Sequence, residues 1–194
     1  MTETETHRFL KEVGMAFLYN QNCFLVATEV SVNPHGKRLD SSLDKHFIID
    51  VCGVGEKYIP YTPWRDPETY KHNVVRGLEV KVSRSDFKNG FVCSGCNYNY
   101  LMVPEGLVWS CEIPKELGII KVDAKNFKAT FQPPPTARFN FQGLRILRKP
   151  TFKKIEQYQI DNAISSISKR STAQLILELA KRLTTNKINA VSPS

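Results

Sequence analysis

The stretch Gly77-Leu78-Glu79-Val80-Lys81-Val82-Ser83-Arg84-Ser85-Asp86 constrains the fold more than any other part of the chain. Its first half alternates apolar and polar residues. Successive side chains of a strand point to opposite faces, so Leu78, Val80 and Val82 share one face and Glu79 and Lys81 share the other. A carboxylate and an ammonium thus stand side by side on a strand whose other face is apolar. Burying such a pair costs stability unless each charge is paired, hydrogen-bonded or used. Ser83 or Ser85 then caps a short helix through Asp86, Phe87 and Lys88, which stops near Gly90.

What precedes this stretch reads as one helix and two strands. Phe9, Val13, Ala16 and Phe17 recur at helical spacing over residues 4–19, with Glu5 and Glu12 near the inward stripe. Cys23-Phe24-Leu25-Val26-Ala27-Thr28-Glu29-Val30-Ser31-Val32 is rich in strand formers, and Asn33-Pro34-His35-Gly36 ends it as a turn. After a polar loop, His46 to Val54 is apolar apart from Asp50. An acid inside such a run calls for a partner or a cation, because Asp is rarely buried alone. Residues 56–73 interleave Tyr58, Tyr61, Trp64 and Tyr70 with Lys57, Arg65 and Lys71. That mixture suits either a proline-stiffened loop or a nucleic-acid contact made by stacking and phosphate pairing.

Beyond the opening stretch, residues 97–104 predict a strand, 112–117 a short helix stopped by Gly118, and 119–123 another strand. The order helix, three strands, helix, strand, helix, strand is an α/β pattern. Residues 125–155 read as basic and irregular, with a stiff turn at Pro133-Pro134-Pro135. Ile160, Ile164 and Ile167 form a helical stripe. Ser171-Thr172-Ala173-Gln174 looks like a capping box restarting a helix whose apolar face is Leu175, Ile176, Leu179 and Leu183. These stripes serve packing on the domain or a homodimer. Residues 184–194 are expected to fray.

If the strands bearing Asp50 and Glu79 are neighbours, their carboxylates converge where the sheet opens. Two hard oxygen ligands, completed by water and phosphate oxygens, suit Mg²⁺ or Mn²⁺. Such an ion activates bound water and offsets charge on a scissile phosphate. Lys81, on the same face as Glu79, is placed to orient the water or stabilise the transition state. The triplet Glu-x-Lys occurs nowhere else in the chain, but alone it is a weak signal. The competing reading is a structural ion pair.

Asp50 followed by Glu79-Val80-Lys81, with a Glu-bearing helix before them, resembles the PD-(D/E)XK nuclease superfamily. The continuations Val82-Ser83-Arg84-Ser85-Asp86-Phe87, Tyr98 to Pro104, and Glu112-Ile113-Pro114 through Gly118 to Asp123 are similar to a small, poorly characterised branch linked in part to DNA repair. The resemblance covers about residues 4–125 and leaves out 126–194. It implies a restriction-endonuclease-like α/β fold, a mixed central sheet flanked by helices, here with a C-terminal helical extension. It also implies metal-dependent cleavage of DNA, with Asp50 and Glu79 as metal ligands and Lys81 as the catalytic lysine. The first-helix glutamate falls on Glu5, with Glu12 as second choice. Ile49 stands where the motif has Pro, and no clear Gln follows in the next helix.

Composition agrees with a nucleic-acid partner. The formal charge is +8, and residues 111–194 hold 15 Lys/Arg against 6 Asp/Glu. Such asymmetry fits a polyanion, or merely a solvated basic face. Arg84 and Lys88, just past the catalytic strand, and Arg145, Arg148 and Lys149, in the basic segment, are the expected phosphate contacts. The expected division is a nuclease-like core over 1–125 and a basic linker with a helical region over 126–194. No apolar run approaches the ~18–20 residues that cross a bilayer. The acidic start, Met1 to Glu5, lacks a secretion pattern, so a cytoplasmic protein is expected.

The five cysteines, an odd number without such a signal, argue against a disulfide framework. Cys93-Ser94-Gly95-Cys96 has zinc-knuckle spacing; Cys111 is a third candidate, and Cys52 or a His a fourth, but no second Cys-x-x-Cys exists. Gly53-Val54-Gly55 is too short for a phosphate loop. The rivals to a nuclease are therefore a catalytically silent nuclease-like fold that binds nucleic acid or protein, and a zinc-stabilised binding module.

Overall fold

The computed structural model describes residues 4–32, 47–58, 71–90, 95–167 and 172–185. Helix α1 spans Glu5–Asn20, and Thr4 caps it by accepting a hydrogen bond from the His7 N–H (3.2 Å). It is followed by a turn that passes through Asn22, which takes the left-handed φ of +61° that Asn tolerates. Its apolar stripe, Leu10, Val13, Phe17 and Leu18, is buried. Gly14 allows close approach to the sheet: a Cβ there would stand 3.1 Å from the Leu78 and Val51 methyl groups.

Strands β1 (Cys23–Val32), β2 (Phe47–Tyr58), β3 (Lys71–Val80), β4 (Tyr98–Pro104) and β5 (Gly118–Val122) follow, with helix α2 (Arg84–Lys88) between β3 and β4. Ser83 is the α2 cap and accepts from the Asp86 N–H at 3.1 Å. The chain continues as β6 (Lys128–Gln132), β7 (Arg138–Gln142), β8 (Leu144–Arg148), α3 (Gln157–Ile167) and α4 (Thr172–Thr185). The central sheet has six strands in the order β1-β2-β3-β4-β5-β8. Pairing is antiparallel from β1 to β3, parallel from β3 to β5, and antiparallel between β5 and β8. The fold is thus mixed α/β, a mixed sheet flanked by helices with a helical C-terminal extension, as expected.

Both faces of the sheet are covered. On one, α1, α4 and the β6–β7 hairpin pack on Val51, Leu78, Val80, Met102 and Ile120. On the other, Ile160, Ala163 and Ile167 of α3 pack on Val30, Ile49, Val54 and Val75. A third cluster joins Leu101, Val103 and Ile119 to Val108, Ile113 and Leu117 of the β4–β5 connection. The apolar stripes of α3 and α4 therefore serve the chain's own core.

Several expectations need correction. Residues 125–155 are not an irregular linker. They form the β6–β7 hairpin and then β8, which closes the sheet beside β5, so residues beyond 125 build the same core as those before it. Asn20 pins the hairpin to α1 by exchanging two hydrogen bonds with the Phe139 backbone, at 2.6 and 2.9 Å. The helix expected at 112–117 is a single 3₁₀ turn at Ser110–Glu112, because the Pro114 nitrogen has no hydrogen to extend it. Residues 33–46, the aromatic-basic stretch 59–70, Cys93, Ser171 and the tail from 186 lie outside the described residues. Among the described residues no helix is long and apolar enough to cross a membrane.

Candidate active site

The β2–β3 ladder runs from Tyr58↔Lys71 to Val51↔Leu78 and stops there. One step further the register sets Asp50 opposite Glu79. The Asp50 side chain replaces the missing backbone acceptor: its Oδ2 takes the Val80 N–H at 2.8 Å. The strands part at this point, and β3 stays attached to β4 through the Lys81 N–H on Met102 O (3.1 Å). Asp50, Glu79 and Lys81 are therefore brought together at the opening of the sheet.

Burial, and next the neighbouring Asp50 charge, push the Glu79 carboxyl up to about 7 although Lys81 pulls it down. Glu79 Oε1 lies 3.3 Å from Lys81 Nζ, while Glu79 Oε2 is buried without a hydrogen-bond partner. Lys81 Nζ also lies 3.2 Å from Asp86 Oδ1, and Asp86 Oδ2 accepts the Val82 N–H at 3.2 Å. Burial alone would lower the Lys81 ammonium, but Glu79 and Asp86 outweigh it and hold the group above its ordinary value. The ammonium is thus charged and fixed between two carboxylates.

On the side of α1, Asp50 Oδ1 lies 3.2 Å from Lys11 Nζ and 3.5 Å from His7 Nε2. Lys11 also bonds Glu29 of β1. Glu29 is the one described non-glycine residue other than Asn22 with a left-handed φ, +54°. Lys11, Glu29 and Asp86 were not expected at the site from the sequence. A lysine on a helix and a glutamate on a strand read as solvated positions. Asp86 did carry a signal, its place three residues after the Ser83 cap.

The first-helix acid is not where the resemblance implied. Glu5 is exposed in the first turn, and Glu12 is buried in a 2.7 Å ion pair with Arg182 of α4. The inward residues at Asp50 are His7 and Lys11. Among the expected phosphate contacts, Arg84 makes a bidentate pair with Glu112 at 2.8 Å for both bonds. That pairing, with the Trp109 N–H, lowers the Glu112 carboxyl to about 2. Arg145 bonds Glu105 at 2.8 Å. Arg148 is committed to the carbonyls of Leu117 (2.8 Å), Ile113 (3.2 Å) and Pro114, so its role is structural. Lys88 and Lys149 are exposed.

Cys52 and Cys96 are buried free thiols; a hydrogen bond between them, with burial, pushes the Cys52 thiol well above its ordinary range. Cys111 is exposed. Among the described residues no three or more His, Cys, Asp or Glu side chains are grouped to hold a metal ion. A divalent ion at the sheet opening would draw on Asp50 and Glu79 alone, with water and phosphate for the rest. The unpartnered Glu79 oxygen beside a second carboxylate fits that use.

No family model matches the chain, and no curated protein sequence matches it. Among solved structures it is similar to a protein of unknown function from Silicibacter pomeroyi. The two are 16% identical, the match covers 98% of this chain and 100% of that one, and the TM-score is 0.50. A likeness at that identity speaks to the fold alone.

Proposed function

We propose that the chain is a divalent-metal-dependent nuclease that hydrolyses phosphodiester bonds in DNA. One observation carries the reading: Asp50 and Glu79 meet where the β2–β3 ladder ends, and one Glu79 oxygen there is buried and unpartnered. Asp50 and Glu79 would hold Mg²⁺ or Mn²⁺. When bound, the ion supplies an activated water and neutralises charge on the phosphate. Lys81, fixed by Glu79 and Asp86, presents its ammonium to the attacked phosphate or its water. The basic second half supplies the attraction for DNA, with Lys88 and Lys149 the exposed contacts. A cytoplasmic location goes with this reading.

A specific observation favours a second reading, a nuclease-like fold that binds nucleic acid or protein without cutting: α1 sets Lys11 against Asp50, where an acid was expected. One experiment separates the two. Single-stranded, duplex and branched DNA are incubated with Mg²⁺ or Mn²⁺ and wild type, Asp50→Ala or Lys81→Ala. Cleavage by wild type alone is expected. DNA binding with no cleavage in either metal would establish the silent reading, and cleavage by the variants at the wild-type rate would sink the site assignment.

A further inference from the structure

Asp50 has two oxygens, and their partners differ. Oδ2 takes the backbone N–H of Val80, a bond fixed by the parting of β2 and β3. Oδ1 takes no backbone N–H; Lys11 Nζ stands at 3.2 Å from it and His7 Nε2 at 3.5 Å. A divalent ion reaching Asp50 meets an ammonium already on Oδ1. Lys11 is itself buried, so its charge needs a carboxylate whether or not an ion is present. Glu29 provides the second one. It does so from a left-handed backbone conformation inside a strand, which persists only where the surroundings impose it. Burial does not impose it, since the Glu29 side chain is 54% exposed.

We propose that Lys11 is the resident cation of this centre: it neutralises Asp50 until a divalent ion arrives, and Glu29 then retains it. The inference rests on the metal-centre reading above and names two positioning residues that reading lacked. Lys11 and the ion compete for Asp50 Oδ1. Glu29 makes the exchange less costly, because Lys11 is bonded to it beforehand and keeps a carboxylate after leaving Asp50. Lys81 differs in what it leaves open: it sits on Glu79 Oε1 and Asp86 Oδ1, while Glu79 Oε2 has no partner, so an ion can reach Glu79 without displacing it.

The test is Mn²⁺ binding by calorimetry to the full chain as wild type, Lys11→Met, Lys11→Arg, Glu29→Gln and Asp50→Asn, with melting temperatures in chelator. Lys11→Met should bind Mn²⁺ at least tenfold tighter than wild type and melt lower in chelator, with the loss regained on adding Mn²⁺. Lys11→Arg should stay near wild type. Glu29→Gln should bind more weakly, because Lys11 then has Asp50 as its carboxylate. Unchanged or weaker binding by Lys11→Met, with Asp50→Asn abolishing it, would overturn the role of Lys11 and leave the metal centre standing. Absence of binding by every protein, wild type included, would remove the metal centre itself. Should Lys11→Met fail to fold, Glu29→Gln decides: binding as tight as wild type overturns the proposal.

Discussion

Replacing Glu79 with Gln distinguishes a functional carboxylate from a structural ion pair. In the fold the Glu79 carboxyl titrates near 7 instead of its ordinary 4.5, chiefly because burial disfavours the charge and then because Asp50 is close. A raised carboxyl binds its proton more tightly in the folded state. Its favourable contribution is therefore fully present below about pH 4.5, falls as pH rises, and is gone above about 7. At 1.36 kcal/mol per unit, this corresponds to about 3 kcal/mol at most, and to roughly 2 once water screening is allowed for. Gln keeps the shape and carries no charge at any pH, and Lys81 retains Asp86 at 3.2 Å. Urea unfolding in chelator should thus show Glu79→Gln equal to wild type at pH 4 and more stable by about 2 kcal/mol at pH 8. A Glu79→Gln protein that is less stable than wild type at pH 8, or whose difference does not vary with pH, would refute the reasoning. It would make Glu79–Lys81 an ordinary stabilising pair.

Two further substitutions test the frame around the site. Gly77→Ala places a Cβ 2.7 Å from Cys96 Sγ and should cost about 1–3 kcal/mol by thermal melting, most of it recovered in the Gly77→Ala/Cys96→Ala double variant. Arg182→Ala removes the partner of the buried Glu12 and should lower the urea midpoint by the equivalent of about 1–3 kcal/mol, while leaving Mn²⁺ affinity unchanged. A changed affinity would return Glu12 to the site.

The parts of the fold that the sequence displayed are those whose periodicity is carried by large apolar residues. Phe9, Val13, Ala16 and Phe17 spelled out α1, apolar and alternating runs spelled out β1 to β5, and a serine cap marked the start of α2 at Ser83. β6 and β7 stayed hidden because their outward positions are basic or polar and the strands are only five residues long, and β8 because its apolar residues do not follow its burial. Lys128-Ala129-Thr130-Phe131-Gln132 buries Ala129 alone, and Leu144 to Arg148 leaves Ile146 and Leu147 exposed at the edge. Charge counting also misjudged individual arginines. Arg148 looks like a phosphate contact in a row of cations, yet its guanidinium organises three carbonyls contributed by residues more than thirty positions away.

The candidate site divides along the same line. Asp50, Glu79 and Lys81 were legible because charge inside an alternating or apolar strand is rare enough to draw notice. Lys11 and Glu29 were not, because a helix lysine and an edge-strand glutamate are common on surfaces, and only the fold sets the exposed Glu29 against the buried Lys11. That difference bears on mechanism. Two carboxylates at the mouth of a sheet attract any cation, a protein ammonium included, and Asp50 Oδ1 has one. Whether the centre works as a nuclease thus turns less on the motif that announces it than on how readily the ammonium yields. The residue that sets this is Glu29, whose strained backbone holds a carboxylate at Lys11 from the side away from Val80.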